Sequence, residues 1–139
     1  PVKAVEGTIT DVQTDPIEPT NVEVITIVAS GIQGSGGIRV DDSDFRIEGT
    51  SLELDIFFTL GPYAWIRPWS YSEEIGTLPA NDYDLTVREY IYSSLNETYE
   101  LGDTYLTSFT VVPEPATILL LILGAGMMRK QTGFLRAQK

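Results

Sequence analysis

Alternating apolar and polar residues recur along most of the chain and predict β-strands rather than helices. The clearest alternation covers Ser51–Leu60, which is followed by the strand-ending pair Gly61-Pro62. Phe57 interrupts its polar face, so we expect a loop or a neighbouring strand to cover that ring. The apolar positions that point one way are Leu52, Leu54, Ile56, Phe58 and Leu60.

Further strands are predicted wherever β-branched and aromatic residues cluster between turn residues. Residues 21–30 are apolar on both faces, which is typical of a covered strand. Short strands are expected at residues 38–40 and 45–47, and longer ones at residues 82–93 and 99–112. About seven short strands without helical periodicity before residue 116 predict an all-β, antiparallel β-sandwich.

The segment from Leu78 to Arg88 starts with a Leu-Pro-Ala turn and continues as an alternating strand. It resembles the Leu-Pro-Ala-Gly-x-Tyr-x-Leu-x-Val pattern of bacterial immunoglobulin-like domains, with Asn81 at the position of the usual glycine. The resemblance implies an immunoglobulin-like sandwich. Tyr83 is then expected to act as a tyrosine corner, whose hydroxyl bonds to the backbone near the turn.

The proline positions divide the chain into four parts. Residues 1–12 form a predicted N-terminal strand, and residues 13–20 form a connector stiffened by two prolines. Residues 21–112 form the sandwich body, and residues 113–139 form the C-terminal tail. Such a connector would let the first strand complete a neighbour's sheet by strand donation. The candidate donor side chains are Val2, Val5 and Ile9.

The tail has three successive parts. Pro113, Glu114 and Pro115 precede an apolar segment of 13 residues at 116–128, and Arg129 and Lys130 follow it. This order resembles the PEP-CTERM sorting signal of exported bacterial proteins. The resemblance implies transient contact with the membrane and with an exosortase, and display in the cell envelope, at the cell surface or in the extracellular matrix. The apolar segment is rich in Leu, Ile, Ala and Met, which predicts a helix.

The charges are distributed very unevenly. All 20 acidic residues lie before Ala116 together with five of the nine basic residues, so the body carries −15 and the tail carries +4. A strongly acidic body argues against nucleic-acid binding, because phosphates require Lys and Arg. It is compatible with an exported, soluble domain.

Catalytic chemistry finds little support in the residue types present. The chain has no cysteine and no histidine, and no nucleophile–base pair is evident. We therefore predict no enzymatic activity and no cofactor. Asp41, Asp42 and Asp44 could offer oxygen ligands to Ca²⁺, but they do not follow the EF-hand spacing, and a solvated acidic turn is the simpler interpretation.

Four aromatic residues between Gly61 and Ser72 share one parity, so an extended strand would place them on one face. Such a set can form part of a core or a subunit interface, or it can stack on sugars. These residues are Tyr63, Trp65, Trp69 and Tyr71.

The sequence therefore leads to two hypotheses of different kinds. The first is a non-enzymatic exported surface or matrix protein that self-associates, as a filament or pilus-like subunit built by strand donation. The alternative is a carbohydrate-binding module on the cell surface that uses the aromatic set. A weaker third possibility is an envelope domain that keeps its tail as an anchor.

Overall fold

A computed structural model describes residues 8–33, 38–61, 66–115 and residue 123. The predictions for Val2, Val5, Tyr63, Trp65 and the basic pair Arg129-Lys130 lie outside these residues, as does all of the predicted tail helix except residue 123. Within them the chain forms seven strands. These are β1 Ile9–Asp15, β2 Ile25–Gln33, β3 Arg39–Glu48, β4 Ser51–Thr59, β5 Arg67–Gly76, β6 Asn81–Ser93 and β7 Thr98–Val111.

The strands form two sheets, as the all-β prediction requires. One sheet has the order β1-β2-β5 and the other has the order β3-β4-β6-β7. One pairing differs from the predicted antiparallel arrangement, because β4 and β6 run parallel, with Leu52 opposite Leu85. The chain leaves β4 for β5 in the other sheet and then returns, so β6 enters the sheet in the same direction as β4.

Several strand boundaries also differ from those predicted. The strand expected at residues 21–30 is β2 at Ile25–Gln33, and Val22 and Val24, which precede it, are exposed rather than covered. β1 continues to Asp15, so residues 13–15 belong to a strand and only residues 16–20 of the predicted connector remain outside it. β3 is one continuous strand across Asp41–Asp44 rather than two strands around an acidic turn. An irregularity between Val40 and Asp42 absorbs one extra residue, which is how a sheet accommodates such a segment.

The core lies between the two sheets and follows the alternation in the sequence. The even-numbered side chains of β4 from Leu52 to Phe58 are buried, as predicted. They face Ile25 and Ile27 of β2, which are also fully buried. The Phe58 ring centroid lies 5.0 Å from that of Trp69 in β5, and this contact joins the two sheets through aromatic packing.

The predicted tyrosine corner is confirmed. Tyr83 is buried near the start of β6, and its hydroxyl donates to the carbonyl oxygen of Pro79 at 2.6 Å. Its ring stacks on Phe109 of β7, with centroids 5.6 Å apart. The turn that precedes β6 is thereby fixed to the sandwich.

The chain leaves the sandwich at the end of β7 through a short clamp. The Val112 N–H donates to the Pro19 carbonyl at 3.0 Å, and the Asn21 N–H donates to the Val112 carbonyl at 3.0 Å. The Glu114 N–H donates to the Asn21 side chain at 2.9 Å. The start of the Pro-Glu-Pro motif is therefore tied to the body. Within the described part of the chain, no helix is both long and apolar enough to cross a membrane.

Candidate functional site

The edges of the two sheets are the places where a β-sandwich can recruit another strand, because an edge presents unpaired backbone groups. The edge strands are β1 and β5 in one sheet and β3 and β7 in the other. Natural edges are protected by charge, proline, shortness or bulges. The four edges of this molecule differ sharply in that protection.

Three edges are protected. β3 carries six charged residues among its ten, together with an irregularity. β5 contains Pro68 and three charged residues, and β1 is only seven residues long, with Asp11, Asp15 and an irregularity near Ile9. Each of these features disfavours pairing with a second sheet.

β7 lacks this protection over most of its length. It is the longest strand, with 14 residues, and the stretch Thr104–Val111 contains neither a charge nor a proline. Threonine, tyrosine, phenylalanine and valine favour extended structure. Leu106 lies at the middle of this stretch and is 74% exposed. We define residues 104–111 as the β7 edge.

Contacts with the rest of the sandwich limit the β7 edge at both ends. At one end, Val112 is engaged by Pro19 and Asn21. At the other end, the Asp103 carboxylate accepts a hydrogen bond from the Ile9 N–H at 2.9 Å, close to an irregularity in the pairing with β6. Among the described residues no strand pairs with the outer edge of β7 between these points.

A small groove lies beside the β7 edge, between it and β1. Its volume is about 170 Å³, and no charged side chain lines it. Ile17, which follows β1, is 77% exposed at this groove. The lining residues are Val12, Gln13, Thr14, Ile17, Leu85, Thr107, Ser108 and Phe109. The lining of this groove is therefore uncharged on the side of both sheets.

The outer face of the four-stranded sheet is, by contrast, a closed network of ion pairs. Arg88 donates to Glu53 at 2.7 Å and to Asp55 at 3.3 Å, and Arg46 donates to Asp55 at 3.0 Å. Asp55 is only 7% exposed, so these two arginines compensate its charge where water cannot. The hydrogen bond from Arg88 lowers the pKa of Glu53. Each of the two arginines is thus paired with at least two carboxylates.

An aromatic cluster that the sequence did not predict occupies the same outer face. Phe57 stacks on Tyr90 with centroids 5.1 Å apart, and it meets Tyr99 edge-on at 5.1 Å. Tyr92 also meets Tyr99 edge-on, at 5.4 Å. The prediction that Phe57 is covered by neighbours is thus confirmed. The strand register brings these residues together from three strands, and local sequence carries no signal of that register.

The calcium candidates do not converge. Asp41 accepts hydrogen bonds from Arg39 at 2.7 Å and from Tyr99 at 2.7 Å. Asp44 pairs with Arg46, and Asp42 accepts from the Ser43 N–H at 2.8 Å. Within the described ranges, no group of three or more acidic side chains could hold a metal ion. Because β3 is extended, neighbouring carboxylates point to opposite faces of the sheet.

The described members of the predicted aromatic set, Trp69 and Tyr71, belong to the core. Trp69 is 6% exposed, and Tyr71 packs against the same cluster. The Tyr71 hydroxyl lies 2.7 Å from Glu73 and 2.8 Å from Ser43 of β3. Burial raises the pKa of Tyr71. For these two residues the core interpretation holds, and a sugar cannot stack on the Trp69 ring.

A buried carboxyl, Glu89 of β6, was also missed by the sequence analysis. Its side chain is fully buried, and it accepts hydrogen bonds from the Thr8 hydroxyl and from the Gln33 amide, the latter at 3.4 Å. Burial raises the pKa of Glu89, and the neighbouring negative charge of Asp103 acts in the same direction. The alternation of β6 places position 89 inward, but the pattern alone does not predict that an acid would occupy it.

We expect Glu89→Gln to stabilise the protein near pH 7. A carboxyl whose pKa is raised by folding binds its proton more tightly in the folded state, so stability falls as the pH rises through the folded pKa. The amide carries no charge, so its advantage over the wild type should shrink as the pH falls through the raised pKa of Glu89 and be lost below the ordinary pKa of Glu. Urea denaturation between pH 2 and pH 8 measures the difference.

Glu53→Gln is the matched control, because hydrogen bonds from Arg88 and Arg46 lower the pKa of Glu53. Its substitution should destabilise the protein at pH 7, and the effect should fade as the pH falls through the lowered pKa. Equal pH profiles for the two variants would show that burial does not control the proton of Glu89.

The described surface therefore combines self-satisfied polar networks with one unprotected strand edge. An edge of this kind can pair with a further strand. In comparisons with known proteins, no protein-family model, no curated sequence and no solved structure matches this chain.

Proposed function

We propose that this protein is a non-enzymatic structural module of the bacterial cell envelope, cell surface or extracellular matrix, and that it acts by self-association. Its sandwich would be of the immunoglobulin-like type. One observation carries the proposal: the β7 edge is uncharged and free of proline, whereas the other three edges are protected. A long unprotected edge is the usual template for pairing with another chain.

Pairing at β7 requires less rearrangement than strand donation by the N-terminal strand. β1 pairs with β2 of the same molecule from Ile9 to Asp15, and its side chains Ile9 and Val12 are buried. Donation would require β1 to leave these positions before a neighbour's strand could enter. Pairing at the β7 edge needs no such step, because no strand among the described residues covers it. We therefore favour edge pairing as the route to a filament or matrix.

The position of the tail supports an exported, surface-bound role. β7 leads directly into Pro113–Pro115, the predicted sorting motif. If the apolar segment holds copies at one membrane during sorting, the β7 edges of those copies lie close to the same surface. Confinement of this kind raises the effective concentration and favours weak lateral contacts.

The carbohydrate-binding alternative loses support from the burial of Trp69 and from the packing of the outer-face aromatics. The rings of Phe57 and Tyr90 stack face to face, so each covers one face of the other. Tyr99 makes an edge contact with Phe57. Sugar stacking needs a free ring face. If the alternative were right, tryptophan fluorescence would shift when neutral polysaccharides are added.

The experiment that tests self-association is sedimentation velocity of the full chain over a wide concentration range. A non-ionic detergent should be present in all samples, so that the apolar segment does not by itself drive aggregation. We expect a reversible, concentration-dependent increase in the sedimentation coefficient. Because the β7 edge is uncharged, the association should persist at high salt, unlike one held by surface ion pairs. A single monomer boundary at every concentration would exclude the proposal.

A further inference from the structure

We propose that two copies pair antiparallel through β7, about a two-fold axis at Leu106, and so join their four-stranded sheets into one continuous sheet. This inference rests on the proposed self-association and specifies its partner, a second copy of this chain, and its register. In this register Leu106 faces Leu106, Tyr105 faces Thr107, and Thr104 faces Ser108. The argument uses charge, side-chain alternation and the limits of the free edge.

The charge distribution of β7 selects the antiparallel direction. Both of its acids, Glu100 and Asp103, precede the uncharged edge at residues 104–111. Parallel pairing in register would place each acid beside the same acid of the second copy, and the repulsion between like charges is unfavourable. Antiparallel pairing about Leu106 places Asp103 opposite Phe109 instead. The two Asp103 residues then lie about 20 Å apart along the strands, at roughly 3.4 Å per residue.

The alternation of β7 restricts the register. Thr104, Leu106, Ser108 and Thr110 are exposed on the outer face, while the intervening residues turn toward the core. Directly opposed residues in an antiparallel pair lie on the same face, so exposed positions must oppose exposed positions. Any centre on a residue, rather than between two residues, meets this condition, and a centre at Leu106 also brings together the most exposed apolar side chain of the edge from each copy. Each leucine then covers the other from water.

The ends of the free edge disfavour a shift of two residues in either direction. A shift toward the C-terminus brings the partner strand onto Val112, whose backbone groups are already bonded to Pro19 and Asn21. A shift toward the N-terminus, to a centre at Thr104, brings the two Asp103 carboxylates to within about 7 Å of each other along the strands. The centre at Leu106 avoids both, and its regular pairs, Thr104 opposite Ser108 and Tyr105 opposite Thr107, stay clear of the irregularity next to Asp103.

Cysteine cross-linking tests this register directly, because the chain has no cysteine of its own. Three full-length single variants are needed: Leu106→Cys, Thr104→Cys and Ser108→Cys. Each is kept in the same detergent at an associating concentration, and diamide is added to oxidise pairs of thiols to disulfides. Opposed residues have Cβ atoms about 4.5–5.5 Å apart, close enough for a disulfide after a small adjustment.

We expect Leu106→Cys to form a covalent dimer by itself. Thr104→Cys and Ser108→Cys should cross-link with each other when they are mixed. Each should form no covalent dimer alone, because the same cysteine in the second copy lies about 14 Å away along the strands. Sedimentation of the reduced variants shows whether association itself survives the substitutions.

The outcomes separate the two proposals. A covalent dimer of Ser108→Cys alone, or cross-linking of Leu106→Cys with Ser108→Cys in a mixture, would overturn the register while self-association stands. Association without any cross-link would move the interface away from β7 and overturn the inference. The absence of association in the wild type and in all reduced variants would overturn the proposed function as well.

Discussion

Phe58→Ala should remove about 3–5 kcal/mol from the free energy of unfolding, the usual cost of truncating a buried phenylalanine. Phe58 is fully buried, and its ring lies 5.0 Å from Trp69 of the other sheet. Its loss would leave a cavity at the contact that joins the two sheets. A domain of this size is stabilised by only about 5–15 kcal/mol in total, so the variant should unfold at a much lower urea concentration.

Phe57→Ala is the matched control for this prediction. It removes the same side chain from the adjacent position of β4, where the ring is only half-buried against Tyr90 and Tyr99. We expect a cost of about 1–2 kcal/mol, from the lost aromatic pairs and some exposed area. Urea denaturation followed by far-ultraviolet circular dichroism measures both. Equal costs would mean that the core lies on both faces of β4.

Gly31→Ala should displace the N-terminal end of β1 from its pairing with β2. A Cβ atom at Gly31 would lie 1.8 Å from the carbonyl oxygen of Thr8 and 2.9 Å from the ring of Trp69. The same Thr8 oxygen accepts a hydrogen bond from the Ile32 N–H at 2.9 Å. The backbone of Thr8 must therefore move away. The expected cost is about 3 kcal/mol, at the upper end of the range for overpacking.

Hydrogen exchange shows whether the Gly31→Ala effect is local. The amides of β1 should exchange much faster in the variant, while those of β4 and β6 should change less. Gly49→Ala is the control: its backbone angle φ of 62° strains an alanine, but no atom lies within 4 Å of the added methyl. It should cost about 1–2 kcal/mol and leave β1 protected. If Gly31→Ala left β1 protected, the close approach of Thr8 would be wrong.

The fold was largely predictable because local patterns determine it. The alternation from Leu52 to Phe58 identified both the strand and its buried face. The Leu-Pro-Ala turn before Tyr83 correctly indicated a corner, which the hydrogen bond to Pro79 confirms. Patterns of this kind depend on only a few neighbouring residues, so the sequence carries them directly.

The surface features were not predictable in the same way. The stacking of Phe57 on Tyr90 depends on the parallel register of β4 and β6, which no local pattern specifies. The acidic run at Asp41–Asp44 was expected to be a turn, because aspartate favours turns. Pairing with β4 keeps it extended instead. The unprotected state of β7 becomes visible only when the sheet order shows that this strand lies at an edge.

The most direct test of self-association through β7 compares Leu106→Lys with Leu95→Lys by sedimentation of the full chain in detergent. Both substitutions replace an exposed leucine with lysine, but Leu95 lies in the turn between β6 and β7 and is 90% exposed. A lysine at position 106 puts two like charges together at the two-fold axis. We predict that Leu106→Lys is monomeric at concentrations where Leu95→Lys and the wild type associate. Association of Leu106→Lys equal to that of the wild type would contradict the account.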